Sequence, residues 1–127
     1  MALYIPHAIP HSARQVEKFN PVNESMTRIG PVFGNHTSTW YEGAMTARGI
    51  IYCPPFTSGH GILKIDTNTD TVTELDKNLL PERGLHMWLL FTAALDACIY
   101  FMPSYARRIM KLDPKNNDAI SSSVTDD

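Results

Sequence analysis

An internal repeat of about 48 residues runs through the chain and limits the folds open to it. A tyrosine within a short apolar segment occurs at Tyr4, Tyr52 and Tyr100, so the spacing is 48 residues both times. Trp40 and Trp88 are separated by the same 48 residues. A unit of this length predicts one small supersecondary structure per copy, which buries its apolar surface against neighbouring copies.

A second recurring segment follows each tyrosine and carries a lysine between apolar residues. The lysines are Lys18, Lys64 and Lys111, and their spacings are 46 and 47 residues. The small difference from 48 places a length change in the loop before the lysine. Because the anchors recur in the same order, the similarity between copies indicates a true repeat.

Each copy predicts four short strands. The first begins at the tryptophan, over residues 40–47 and 88–95, and the second and third contain the tyrosine and the lysine. The fourth covers residues 25–29, 71–75 and 119–124, and residues 71–75 alternate between polar and apolar as in a half-buried strand. Residues 85–97 are helix-like in composition, but their alignment with residues 40–49 favours a strand.

Turn-forming residues stand between these strands. Gly49 and Ala97 join the first strand to the second, and clusters of Asn, Asp and Pro join the third to the fourth. Asp66 and Asp113 are expected to form turns, because an aspartate side chain can bond the backbone two residues on.

This pattern resembles the repeats of kelch-like and YVTN-type β-propellers, and also long repeat proteins of algae and other protists. The clearest match is Ile51 and Tyr52 followed by residues 62–72. The resemblance covers nearly the whole chain, although the glycine pair of kelch repeats is missing. It implies an all-β partial propeller of about three four-stranded antiparallel blades, and it implies no single activity.

The blades would form a single array over residues 1–127. The first, over residues 1–30, would be incomplete, and the others would cover residues 40–75 and 88–124. A closed propeller needs at least about four blades. The chain would therefore be a piece of a longer protein, close a ring with its own copies, or join a different subunit. Exposed strand edges and apolar flanks favour a protein partner or a homo-oligomer.

One side of the blades is predicted to carry the ligand-binding loops. The loops that join the second strand to the third, and the fourth to the next first strand, share this side, and all five histidines lie on it or at its border. The candidate binding residues are Arg14, His36, His60, His86, Arg107 and Arg108. Three of them align just before the lysine strand, where they would donate to an anionic ligand or an acidic partner. Alternatively they cap loop carbonyls or cover the next blade.

The chain offers little support for catalysis, and neither a metal nor another cofactor is expected. His7 and His11 flank a proline-containing loop, so their spacing is no metal-ligand signature. Nucleophile-elbow, zinc-protease and phosphate-loop motifs are all missing from the sequence. Cys53 and Cys98 have no CxxC spacing and are predicted to be buried.

Net charge and hydropathy argue against two other partners. A net charge of -2 gives no case for nucleic acid, and no apolar run is long enough to span a membrane. The first residues lack the layout of a signal peptide, so a cytoplasmic or organelle-interior location is the default expectation.

The expected function is a non-catalytic interaction or scaffold module that binds protein or completes a ring. The alternatives are part of a propeller hydrolase or lactonase, and a repeat that binds carbohydrate or small anions. The repeated tryptophans and tyrosines are expected to pack between blades. The repeated lysines would form a solvated row or pair with neighbouring acids.

Overall fold

The computed structural model describes residues 3–5, 15–33, 40, 43–54, 61–75, 88–92, 97–103 and 108–124. These residues form eleven β-strands and one short 3-10 helix, Pro114–Asn116. The strands are β1 Leu3–Ile5, β2 Val16–Asn20, β3 Ser25–Ile29, β4 Ala44–Met45, β5 Ile50–Cys53, β6 Ile62–Asp66, β7 Thr71–Leu75, β8 Trp88–Thr92, β9 Ile99–Pro103, β10 Arg108–Asp113 and β11 Ala119–Val124. Within these ranges, no helix combines the length and the apolar character that a membrane crossing requires.

The strands form three separate antiparallel sheets, in each of which they are hydrogen-bonded in chain order. The first sheet contains β1 to β3, the second β4 to β7 and the third β8 to β11. The prediction of an all-β, antiparallel structure is therefore confirmed. Short connections that reverse the chain explain this meander, because an antiparallel neighbour can be reached through a turn of a few residues.

The repeated tyrosines and lysines occupy equivalent places in the three sheets. Tyr4 is the cross-strand partner of Lys18, Tyr52 that of Lys64, and Tyr100 that of Lys111. A slip of one residue would turn every side chain of a strand to the opposite face. The shared register therefore gives equivalent residues of each copy the same facing.

The first strand begins later than predicted in the second copy, whereas in the third copy it begins at Trp88 as predicted. It covers only Ala44–Met45 in the second sheet, and it is Trp88–Thr92 in the third. Ala44 pairs with Tyr52, whereas Phe91 pairs with Tyr100. Trp40 therefore lies four positions before Ala44, the partner of its tyrosine, whereas Trp88 lies three positions before Phe91. The two tryptophans are not structurally equivalent, because Phe91 and Tyr100 are nine positions apart whereas Ala44 and Tyr52 are eight.

The turns between the third and fourth strands share one local design. Asn20, Asp66 and Asp113 each accept a hydrogen bond, at 2.9–3.0 Å, from the backbone N–H two residues on. The predicted turn-forming role of the two aspartates is confirmed. The side chain satisfies a backbone donor that the reversing chain leaves without a strand partner.

The apolar core lies on both faces of the second sheet. Alternation along β6 sends Ile62 towards the third sheet and sends Leu63 and Ile65 towards the first. The cluster shared with the third sheet contains Tyr52, Ile62, Ile99, Phe101, Met110 and Leu112. The cluster shared with the first sheet contains Val16, Trp40, Cys53, Leu63, Ile65 and Val72. The second sheet is therefore packed between the other two.

The predicted burial of the two cysteines and of one repeated tyrosine is confirmed. Cys53 and Cys98 are buried free thiols. Tyr52 is buried, whereas Tyr100 is half-buried. The side chain of Tyr4 lies outside the described part of the structure.

Candidate functional site

The predicted ligand-binding residues lie almost entirely outside the described residues. This holds for Arg14, His36, His60, His86 and Arg107. Arg108 begins β10 and pairs through its backbone with Val124, but its side chain is not described. The proposed role of these residues as donors to an anion or an acidic partner stays a prediction.

The described residues instead bring lysines and aspartates together between the sheets. Lys18 of the first sheet forms an ion pair with Asp70, the last residue before β7 of the second sheet, at a distance of 2.9 Å between Nζ and Oδ2. Lys64 of the second sheet pairs in the same way with Asp118, the last residue before β11 of the third sheet. The repeated lysine of one copy thus binds the turn of the following copy in both places.

An unusual backbone conformation recurs at the accepting turns. Asp70 and Asp118 have φ angles of 56° and 58°, and Glu24, which directly precedes β3, has a φ angle of 58°. The left-handed region costs energy for residues other than glycine, although aspartate tolerates it better than most. Glu24 of the first sheet therefore has the same left-handed backbone as the two aspartates that accept from the lysines.

Asp118 holds two polar groups of the second sheet. Its Oδ1 accepts a hydrogen bond of 2.5 Å from the hydroxyl of Tyr52, while its Oδ2 binds the ammonium of Lys64. Lys64 Nζ also lies 6.0 Å from the centroid of the Tyr52 ring, a distance at which a cation interacts with the ring face. The Asp118 side chain is only 13% exposed, so these contacts form in a poorly hydrated place.

The chemistry of this group is structural. Burial and, next, the hydrogen bond to Asp118 raise the pKa of Tyr52 well above its usual value. A phenol held protonated donates a hydrogen bond and is not available as a base or nucleophile at neutral pH. The Asp118 carboxylate is committed to two protein partners, which leaves it poorly suited to bind a ligand.

Trp40 is packed between the first two sheets. Its side chain is 2% exposed, and its indole N–H donates to the carbonyl of Gly61 at 3.0 Å. The ring meets Phe33 edge-on, with 5.0 Å between the centroids. The predicted packing role is confirmed for Trp40, while the side chain of Trp88 lies outside the described residues.

Carboxylates, thiols and imidazoles do not gather into a metal site within the described ranges, where no group of three or more such residues could hold an ion. Glu74 illustrates how one carboxylate is used, since its Oε2 accepts a hydrogen bond of 2.8 Å from the backbone N–H of Gly61.

The sequence allowed two arrangements of the repeated lysines, a solvated row or pairs with acids, and in the structure Lys18 and Lys64 form pairs. The acids that accept from these lysines were not predicted. The sequence nevertheless contains a signal for them, because Glu24, Asp70 and Asp118 each stand directly before the fourth strand of their copy. The recurrence of an acid at this position could have been matched to the recurrence of the lysine.

No protein-family model matches this chain, and no curated protein sequence matches it. The repeat and the contacts between the sheets are therefore the features of this chain that bear on its function.

Proposed function

We propose that this chain is a series of β-propeller blades that works as a non-catalytic interaction module and binds protein through the exposed face of its first sheet. Meander sheets that pack face to face, with one copy of the repeat in each, support the propeller assignment. Lysine–aspartate pairs that join each sheet to the next support a regular stack, as in blades arranged side by side.

The observation that carries the binding role is an apolar pair on the first sheet. Val16 packs against the second sheet and Lys18 pairs with Asp70, so alternation turns Phe19 and its cross-strand partner Met26 to the opposite side. We call this side, with Glu17, Phe19, Met26 and Arg28, the outer face of the first sheet.

The corresponding pair in the second sheet shows how such a face is normally covered. Ile65 and Val72 are also cross-strand partners, and they are buried against the first sheet. Met26, by contrast, is 53% exposed. The outer face of the first sheet thus has the apolar centre of a blade interface and the exposure of a binding surface.

Charged residues border this apolar pair. Glu17 and Arg28 are cross-strand partners and lie beside Phe19 and Met26 on the same face. An apolar centre with a polar border is typical of protein–protein interfaces. This composition favours a protein partner over a carbohydrate or a small anion.

The proposal is tested by placing a photo-cross-linking amino acid at position 26 of the intact chain inside cells that produce it. Ala47, which is exposed in the turn after β4, serves as the control position. We expect adducts with the mass of a bound protein at position 26 and none at position 47. Equal labelling at the two positions, or no protein adduct at position 26, would overturn the proposal.

A parallel measurement addresses the alternative of a propeller hydrolase or lactonase. Metal content and lactone hydrolysis are measured on the purified chain before and after chelation. One retained metal ion per chain, together with hydrolysis that chelation abolishes, would replace the scaffold function with an enzymatic one.

A further inference from the structure

We propose that the protein bound by the outer face of the first sheet is a second copy of this chain, which docks through the same face to form a twofold-symmetric dimer. This inference rests on the proposed function, because it names the partner of that face. The four residues that define the face make it self-complementary in charge and in apolar character.

The outer face of the first sheet contains two rows of cross-strand partners. One row joins Glu17 of β2 to Arg28 of β3, and the other joins Phe19 of β2 to Met26 of β3. The charged row thus has one group of each sign, on different strands, and the apolar row is divided between the same strands. A surface that docks on a copy of itself needs this composition, because in a twofold contact each group meets the counterpart of its own partner.

Antiparallel pairing determines which twofold axis matches these groups. An axis that lies in the interface, parallel to the strands and midway between β2 and β3, places β3 of one copy opposite β2 of the other. Glu17 of one copy then faces Arg28 of the other, and this contact occurs twice. Phe19 faces Met26 in the same way. The strands of the two copies are aligned, as is common in sheets that pack face to face.

A twofold axis across the strands would match the groups poorly. It would place Glu17 of one copy against either Glu17 or Phe19 of the other. A charge that is covered without an opposite partner costs free energy. The axis parallel to the strands is therefore the one that satisfies both rows.

The exposure of the four side chains follows their places in the sheet. Met26 and Arg28 lie on β3, the last strand in the sheet order, and are exposed. Glu17 and Phe19 lie on β2, which has a neighbouring strand on each side, and are half-buried. A second copy would cover Phe19 and Met26 as the first sheet covers the corresponding pair of the second sheet, so apolar burial favours association.

The size of the face determines how strong the contact is. Two paired strands of five residues present a surface of roughly 10 Å by 17 Å, since strands lie about 4.8 Å apart and rise about 3.4 Å per residue. This surface is much smaller than the roughly 800 Å² per partner of a stable interface. The dimer is therefore expected to exchange rapidly with the monomer, and its formation has to be measured at high protein concentration.

The test compares two charge reversals, Glu17→Arg and Arg28→Glu, with the double variant that carries both. Sedimentation equilibrium measures dimerisation, while circular dichroism and cooperative melting establish that each variant is folded. Each single variant should dimerise more weakly than the wild type by roughly tenfold or more, because like charges then meet at two places in every dimer. The double variant should dimerise like the wild type, since the exchange keeps opposite charges in contact. Ala47→Arg, in the exposed turn after β4, is the control that should leave dimerisation unchanged.

A different protein as partner would respond in another way to these variants. The double variant would then bind as poorly as the single ones, because the foreign surface keeps its own charges. Cross-linking gives a second measurement that needs no charge variant. Unlabelled chain with the photo-cross-linking amino acid at position 26 is mixed with isotopically labelled wild-type chain, and the adduct should join position 26 to β2 of the labelled chain, close to Phe19.

Three results in the association measurements would overturn the inference: a wild-type chain that stays monomeric up to millimolar concentration, single variants that dimerise like the wild type, or a double variant that does not. An adduct at position 26 that joins only a different protein, or another part of this chain, would also overturn it and would leave the proposed function intact. The absence of any protein adduct would overturn both.

Discussion

The hydroxyl of Tyr52 donates a hydrogen bond of 2.5 Å to the carboxylate of Asp118, although the two residues are 66 positions apart in the chain. The same carboxylate binds Lys64, so a single turn residue of the third sheet holds two polar groups of the second. Both groups stand next to the apolar cluster that joins these sheets. The polar contact therefore fixes the position in which the apolar faces meet.

Replacing Asp118 with Ala should lower the free energy of unfolding by about 2–3 kcal/mol, because the buried Tyr52 and the half-buried Lys64 both lose a charged acceptor. Asp70→Ala is the matched control. The Lys18–Asp70 pair is more exposed, with 31% and 37% of the side chains accessible, so its loss should cost less than about 1 kcal/mol. Urea unfolding of both variants measures the difference, and equal losses would contradict the structural account.

Alkaline conditions should weaken the fold through Tyr52. Burial and the Asp118 hydrogen bond raise its folded-state pKa above the ordinary value of about 10, so the folded state favours the protonated phenol. This contribution is complete below about pH 10 and declines above it, since the unfolded chain then releases a proton that the folded chain retains. The stability difference between the wild type and Tyr52→Phe, measured as a function of pH, should shrink above about pH 10. A constant difference would be inconsistent with a protonated, buried Tyr52.

The two turns before the tyrosine strands offer a reciprocal pair of substitutions. Gly49 and Ala97 both have positive φ angles, 80° and 60°. A Cβ atom at Gly49 would also lie 2.9 Å from Thr67 Oγ1, so Gly49→Ala should destabilise the chain by about 1–2 kcal/mol. Ala97→Gly removes the same strain and should be neutral or stabilise by up to about 1 kcal/mol. In thermal melts, Gly49→Ala should lower the midpoint of unfolding, whereas Ala97→Gly should raise it or leave it unchanged. A lower midpoint for Ala97→Gly would argue against a left-handed backbone at Ala97.

Truncating Trp40 to Ala should cost about 3–5 kcal/mol, because a buried ring and its contact with Phe33 are lost. Trp40→Phe should recover part of this loss, since it keeps apolar contact but leaves the Gly61 carbonyl without the indole donor. Chemical denaturation monitored by circular dichroism gives the ranking. A near-neutral Trp40→Ala variant would mean that the ring is not part of the core.

Close contact with the side chain of Val72 should make Gly30 sensitive to substitution as well. A Cβ atom there would lie 2.5 Å from Val72 Cβ of the second sheet, and the φ angle of 75° already disfavours other residues. Gly30→Ala should therefore separate the first two sheets and lower the midpoint of thermal unfolding. Gly49→Ala strains a turn within the second sheet, so only Gly30→Ala should also increase proteolysis of the first sheet.

Local patterns in the sequence predicted most of the strands and their order. The alternation in Thr71–Leu75, the recurring tyrosines and lysines, and the turn aspartates specify which segments extend and where the chain reverses. The first strand begins at Trp88 as predicted in the third copy, but in the second copy it covers Ala44–Met45 and begins four residues after Trp40. A tryptophan at equal spacing therefore does not fix cross-strand register. Trp40 and Trp88 differ by one register position, because the residues paired to the tyrosines lie eight and nine positions before them.

The period, the antiparallel meanders and the turn chemistry can be read from the sequence, because they depend on residues that are close in the chain. The three-dimensional packing is needed to know which face of each sheet meets which neighbour, and that Lys18 and Lys64 bind the turns of the following copies. Such contacts join residues more than 50 positions apart, and their geometry follows from how whole sheets pack. A one-dimensional pattern records that an acid and a lysine recur, whereas the packing of the sheets determines that the lysine of one copy binds the acid of the next.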